Sequence, residues 1–256
     1  GARLMLEEGV LDGLPDAPVT AFALHVQTRY PSGTLHLRPG QILAASDRFE
    51  VVIHGRGGHA SAPYAAVDPI VIAAEIVTAL QTMVTRRFDI FDPAILTVGH
   101  IEAGTTHNII PETARMRGTT RALSEATRME LQALLRRVVE GICGAHGATG
   151  EVKIIRGYSP TVNDPGVTDM VRDTAEDLIG AASVSALPSP LMGGEDFSYV
   201  LERVPGTFAF LGARPADADP DSGPINHSSH VVFDEASMTA GVALFAGVAL
   251  RSLGGA

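Results

Sequence analysis

The chain has 256 residues, with 19 Lys plus Arg against 29 Asp plus Glu, a formal charge of −10 and 45% hydrophobic residues. That length and apolar content exclude a disordered chain and predict one large or two modest domains, while the acidic balance argues against a nucleic-acid or anionic-membrane surface. The one cysteine, Cys143, excludes an intramolecular disulfide and a thiolate zinc cluster, and a cytoplasmic location is the expectation.

Residues 2–8 read as a helix that ends at Gly9. The almost continuous apolar run 19–26 (VTAFALHV) has strand length and the pattern of a strand buried on both faces of a mostly parallel sheet. Thr34–Arg38 alternates like a half-exposed strand, and Phe49–His54 is a further strand broken by Gly55, Gly57 and Gly58. Asp68-Pro69 opens a helix with Asp as N-cap and Pro at its first position, and Ile70, Ala73, Val77, Leu80 and Val84 form its predicted apolar face. Strands follow at 95–98 and 113–121. Ser124 caps a long helix carrying Met129, Leu134, Val138 and Ile142, and Glu151–Ile155 closes as a strand. This βαββαβ order predicts a two-layer, ferredoxin-like sandwich. Beyond Tyr158, Asp164-Pro165 caps a helix with Val167, Val171 and Leu178 on its apolar side, Thr207–Leu211 is an apolar strand, and Asp234 caps a last helix. That helix lies in an apolar uncharged stretch, 236–250, whose 15 residues fall short of the roughly 20 a bilayer span needs, so no membrane partner is expected.

The predicted fold is therefore α/β: one domain with a mostly parallel sheet, in two parts (1–45 and 158–256), interrupted by an inserted βαββαβ domain (46–157). The chain lacks G-x-S-x-G, P-loop and G-x-G-x-x-G patterns, so serine hydrolase, nucleotide hydrolase and dinucleotide readings have no support. The same βαββαβ order serves some RNA-binding modules, but the acidic charge and lack of an aromatic platform set that reading aside.

Nine histidines are many for this chain. His25 falls near the carboxyl end of an apolar strand, where ligand crevices form in open α/β sheets, although a lone histidine there is more often a core residue. His227 sits in the loop 224–230, and two imidazoles alone do not complete a metal site. His59 follows glycines in GGHAS, either approaching a ligand or facing solvent from a turn. Asn108 and Arg121 lie 13 residues apart and could orient a carbonyl and fork onto a carboxylate, or cap a turn and carry a surface charge. Gly193, Gly194 and Glu195, with Asp196, form a loop-to-helix junction where acidic residues are also ordinary caps. Glu7 and Glu8 read as solvent-exposed, and Cys143 as a buried, inert thiol.

Taken together, the segments LHV (24–26), GGHASAP (57–63), HNIIPE (107–112), GTTR (118–121), MGGEDF (192–197), NHS (226–228) and FDE (233–235) occur in one order along nearly the whole chain. This series resembles the metal-dependent amidohydrolases of the aminoacylase, hippurate hydrolase and indole-acetyl-amino-acid hydrolase group, within the aminoacylase and carboxypeptidase metallopeptidase family. The resemblance implies hydrolysis of the amide bond of N-acyl amino acids or small peptides by metal-activated water. It implies two divalent ions per subunit, zinc or manganese, with cobalt or nickel as alternatives. His25 and His227 match metal ligands, one for each ion. His59 matches a catalytic histidine reaching toward the partner subunit's site, Asn108 and Arg121 match residues that hold substrate polar groups, and Gly193, Gly194 and Glu195 match a pocket-lining loop. The inserted domain is expected to act as a lid through which the protein forms a homodimer. In this family a further metal-binding histidine, a cysteine or aspartate, and a Glu-Glu pair lie before the equivalent of His25. The chain is accordingly expected to lack the first quarter to third of the catalytic domain, and the alternative expectation is a non-catalytic fragment that dimerises through its lid. Glu7-Glu8 does not replace the missing pair, and His230 has no assigned role.

Overall fold

Local sequence signals account for most of the elements in the computed structural model, which describes residues 1–12 and 20–254. In chain order they are α1 (Ala2–Glu7), β1 (Ala21–Pro31), β2 (Leu35–Leu37), β3 (Gly40–Leu43), β4 (Ala45–His54), β5 (Gly58–His59), α2 (Pro69–Arg87) and β6 (Ala94–Ala103). There follow β7 (Ile109–Ile110), β8 (Thr113–Ala122), α3 (Glu125–Ala145), β9 (Thr149–Tyr158), β10 (Thr161–Asn163) and α4 (Pro165–Ile179). The chain closes with β11 (Val184–Ala186), α5 (Ser198–Leu201), β12 (Gly206–Arg214) and α6 (Ser237–Ser252). Val19, the first residue of the strand predicted over 19–26, lies outside the described residues.

The chain divides into two compact units. Unit 1 comprises residues 1–43, 161–191 and 195–256; unit 2 comprises 44–160 and 192–194.

In unit 1 a four-stranded sheet runs in the order β1-β12-β2-β11. β1 and β12 are parallel, with His25 opposite Phe210, and β2 is antiparallel to β12 and parallel to β11. This is a mixed sheet, and β12 reads as an unbroken apolar run because all but its last residue are buried. Leu35, Leu37, Val171, Ala175, Leu211 and Leu244 form the core between this sheet and helices α4 and α6. Asp164 accepts a hydrogen bond from the Val167 amide and starts α4, with Pro165 at the position where a missing N–H costs nothing. The buried side of α4 is Val167, Thr168, Val171, Thr174 and Ala175, so Leu178, predicted on that face, is instead exposed. Asp234 does not cap α6 itself: its carboxylate accepts from the Ala236 amide in the preceding turn. The small residues Ser237 and Gly241 let the helix settle on the sheet.

Unit 2 holds β4, α2, β6, β8, α3 and β9 in βαββαβ order, with an antiparallel sheet β6-β8-β4-β9. Phe49, Val51 and Ile53 alternate inward from β4, and Ile72, Ile76 and Leu80 of α2 and Leu131, Leu135 and Val139 of α3 pack against them. Most of the predicted helix faces meet the core: Ala73, Leu80 and Leu134 are buried and Val77, Val84, Val138 and Ile142 pack against it, but Ile70 and Met129 are exposed, and the most buried positions add Ile72, Ile76 and Met83, and Leu131, Leu135 and Cys143. The caps are those expected, with Asp68 accepting from the Ile70 amide and Ser124 from the Thr127 amide. Helix α2 is long and apolar enough to cross a membrane by length and composition, but its apolar stripe is spent on this core. Cys143 is buried, and burial pushes its thiol up from 9.0, consistent with an inert thiol.

At one end of this sheet Asp47, 1% exposed, accepts hydrogen bonds from Arg128 Nε (2.8 Å) and Nη2 (2.5 Å), Gln132 Nε2 (2.7 Å) and the Gly157 amide (2.8 Å). The pair ties β4 to α3 and β9. Burial alone would raise the Asp47 carboxyl, but these donors and the Arg128 charge hold it below its ordinary 3.8.

Candidate active-site residues

In unit 1 His25 lies on β1, the end strand of the sheet order among the described residues. The ring lies against Phe208 and Phe210, with centroids 6.3 and 6.1 Å away, which orients it. Its Nδ1 is 2.7 Å from the Val26 carbonyl oxygen. A carbonyl only accepts, so in the neutral ring Nδ1 carries the proton, and Nε2 keeps a lone pair with no hydrogen-bond partner among the described residues. That is the arrangement in which metal-binding imidazoles are usually held.

The loop containing His227 is tied to the same strand edge by Asn226. Its Nδ2 donates to the Val26 carbonyl (2.7 Å), and its Oδ1 accepts from the Thr28 amide (3.0 Å) and the Thr28 hydroxyl (3.3 Å). The side-chain amide thus pairs with β1 as a neighbouring strand would. His227, next to it, has φ 71°, a left-handed conformation that costs a non-glycine residue free energy and is held here by the neighbouring contacts. His25 and His227 are therefore each adjacent in sequence to one partner of the Val26–Asn226 hydrogen bond. A cavity of about 510 Å³ opens beside this edge, with Thr28, Arg29, Arg214, Ile225 and His230 among its walls. Replacing Asn226 with Leu is expected to cost about 1–3 kcal/mol, because the Thr28 amide loses its acceptor and the loop its anchor. A urea titration checks this, and unchanged stability would show that the loop is held by something else.

Among the described residues no three His, Cys, Asp or Glu side chains come together as a metal-ion site. Glu195 uses Oε1 to accept from the amides of Asp196 (2.9 Å) and Phe197 (3.3 Å), the capping role open to acidic residues at this junction. Asp196 accepts from the Ala2 amide at 2.7 Å.

In unit 2 a two-stranded ribbon brings His59 and Asn108 together. β5 pairs with β7, His59 lies opposite Ile109, and the Asn108 carbonyl accepts from the Ala60 amide at 3.1 Å. The ribbon starts from a close backbone approach: a Cβ on Gly55 would lie 2.2 Å from the Val67 carbonyl oxygen, so the turn leading to His59 accepts only glycine there. His59 is exposed, and its Nδ1 lies 2.7 Å from Ser61 Oγ and 3.2 Å from the Ser61 amide. The Asn108 Oδ1 accepts from the Thr106 hydroxyl at 3.3 Å.

Arg121 lies on β8, opposite Ser46 of β4 and Ile95 of β6. Gly193 is tied to the start of β4, its carbonyl accepting from the Ala44 amide at 2.9 Å. Gly194 packs where a Cβ would meet Ser46 Cβ at 2.9 Å, Tyr158 at 3.2 Å and Arg121 Nη1 at 3.4 Å, so its lack of a side chain lets this loop lie against the arginine. His25 with His227, His59 with Asn108, and Arg121 with Gly194 thus form three local groups, the first in unit 1 and the other two in unit 2.

Sequence reasoning did not single out Asn226 or Ser61. The H-x-S spacing of residues 59–61 was a readable signal, since a serine two residues on can reach its neighbour's ring. The Asn226 contact with β1 joins residues about two hundred positions apart and left no local signal.

The model of peptidase family M20/M25/M40 matches residues 1–251. The chain is 39% identical over 254 residues to thermostable carboxypeptidase 1 of Saccharolobus solfataricus, covering 98% of this chain and 62% of that protein. It is 35% identical over 250 residues to N-acetylcysteine deacetylase of Bacillus subtilis, with the same two coverages. Among solved structures, the Bacillus subtilis YXEP protein, a dinuclear metal binding peptidase from the M20 family, superimposes with a TM-score of 0.78 at 30% identity, over 100% of this chain and 62% of that one. The chain spans just over three fifths of the length of these relatives. With a family model matched over almost all its residues, and the ordered motifs on the elements described above, the chain belongs to peptidase family M20/M25/M40.

Proposed function

We propose that the protein is a divalent-metal-dependent hydrolase that cleaves the amide bond of N-acyl amino acids or small peptides. The observation that carries this reading is the state of His25: Nδ1–H is committed to the Val26 carbonyl, Nε2 is free, and the loop bearing His227 is pinned to that same carbonyl by Asn226. Relatives named as a carboxypeptidase and an N-acetylcysteine deacetylase add support, because both names imply hydrolysis of an amide bond.

His25 and His227 are the proposed ligands, one for each of two ions, with zinc or manganese as the proposed metals and cobalt or nickel as alternatives that imidazole plus carboxylate ligation also accommodates. Two imidazoles fall short of the three protein ligands such a site needs, and the described residues gather no third. The remaining roles belong to this chain's own groups. His59 donates a hydrogen bond to the oxygen that becomes anionic as the amide carbonyl is attacked. Arg121 forks onto the substrate carboxylate, and Asn108 holds a polar substrate group. Gly193, Gly194 and Glu195 form the loop proposed to face substrate. Unit 2 is the proposed lid and homodimer contact, and the cytoplasm the proposed location.

Metal content measured together with hydrolysis of N-acetyl, N-benzoyl and dipeptide substrates tests the reading. Stoichiometric divalent metal, hydrolysis abolished by a chelator and restored by zinc or manganese, and loss of metal in His25→Ala are expected. A protein that dimerises but hydrolyses none of these substrates with metal present, or whose hydrolysis survives chelation, overturns it.

A further inference from the structure

His25 and His59 meet opposite partners at Nδ1: the Val26 carbonyl, which only accepts, and the Ser61 amide, which only donates. We propose that Ser61 is a positioning residue that locks His59 with its proton on Nε2, so that this ring presents an N–H donor rather than a lone pair. The inference rests on the reading of His59 as a substrate-facing donor, and extends it to the residue that makes it one.

The argument begins with what a backbone amide can do. The Ser61 N–H lies 3.2 Å from His59 Nδ1, and an amide N–H only donates. A proton on Nδ1 would therefore set two hydrogens against each other. The Ser61 hydroxyl, 2.7 Å from the same nitrogen, turns its own proton toward the lone pair and shortens the contact. With Nδ1 accepting twice, the neutral ring keeps its proton on Nε2. Among the described residues Nε2 has no hydrogen-bond partner, so this N–H remains available.

The geometry is imposed by the turn. The Ala60 amide donates to the Asn108 carbonyl and the Ala62 amide to the His59 carbonyl (2.9 Å), which bends residues 59–62 back and brings Ser61 beneath the ring. The β5–β7 pairing holds the His59 backbone from the other side. At His25 the nearest partner is a carbonyl, which accepts, and the proton sits on Nδ1 instead. One chain thus prepares one imidazole to give a lone pair and another to give a proton-bearing edge.

Long-range proton–nitrogen spectra of the full chain, labelled with ¹⁵N-histidine and recorded above the range where imidazole charges, read the tautomer directly. The His59 signals are assigned by their loss in His59→Ala. Nδ1 is expected to resonate as an unprotonated nitrogen and Nε2 as a protonated one. Ser61→Ala keeps the amide donor but removes the hydroxyl, the shorter of the two contacts at Nδ1, so it should raise the Nδ1–H population in part, and Ser61→Thr, which keeps the hydroxyl, should restore the original ratio. In the hydrolysis assay Ser61→Ala should lower kcat roughly tenfold with KM little changed, the loss of about one hydrogen bond, and Ser61→Thr should recover it. A wild-type His59 protonated on Nδ1, a tautomer ratio indifferent to Ser61→Ala, or a kcat loss without a change of tautomer overturns the proposal. A tautomer that responds as expected while kcat stays constant upholds the positioning by Ser61 and overturns the reading of His59 as the donor.

Discussion

Replacing His59 with alanine is expected to lower kcat for hydrolysis of an N-acyl amino acid by about 10²- to 10³-fold, with a much smaller change in KM. That is the usual consequence of removing one donor from the site of a developing oxyanion, where the bond strengthens as charge accumulates. The tautomer makes the prediction more specific. Because Nδ1 accepts from Ser61 and Nε2 carries the proton, the useful edge of the ring is the distal one. Glutamine places its amide nitrogen near the position of Nε2, and asparagine near that of Nδ1. His59→Gln should therefore keep more turnover than His59→Asn or His59→Ala. Steady-state kinetics on the three variants decides the matter, and equal turnover in His59→Ala and the unsubstituted protein would remove His59 from the reaction.

The second large effect lies at the buried ion pair. Asp47→Ala is expected to destabilise unit 2 by about 3–5 kcal/mol, because it leaves the Arg128 guanidinium, only 3% exposed, without its principal counter-charge. Glu125, 3.0 Å from Arg128 Nη1, compensates only in part, since its own side chain is half in solvent. The double variant Asp47→Leu with Arg128→Met removes both charges and should recover most of the loss. Urea denaturation of the single and double variants measures this, and a double variant no more stable than Asp47→Ala would refute the account. The pH dependence has a definite sign. The Asp47 carboxyl titrates below its ordinary 3.8 in the folded protein, so its contribution is complete above that value and is lost as pH falls through the lowered one. Acid unfolding should accordingly be less steep in the double variant.

The Asp47 network also explains why Arg121 is well supported. Arg121 pairs across the sheet with Ser46, the residue before Asp47, and Gly194 packs against both Ser46 and Arg121. The ion pair fastens that end of β4 to α3 and β9, so a side chain proposed to grip a carboxylate projects from backbone that is hydrogen-bonded on both sides.

How much of this was legible before folding depends on the range of the interaction responsible. The α/β character, the βαββαβ order of unit 2, the Asp68 and Ser124 caps and the family were all readable from the chain, because each is written within a few residues or in the order of short motifs. Helix faces were read less well. Ile70 and Met129 satisfy a period of 3.6 as well as Ile72 and Leu131 do, and only packing against the sheet selects which stripe is buried. The short strands β3, β10 and β11 were not anticipated, since three or four residues carry no period and acquire strand geometry from the neighbour they pair with. For the candidate site, sequence nominated His25, His59, Asn108, Arg121 and His227 by residue type and order. Tertiary structure alone decided which way two of those imidazoles hold their protons. His25 meets a carbonyl and His59 meets an amide, and chemically identical rings are thereby prepared for opposite tasks.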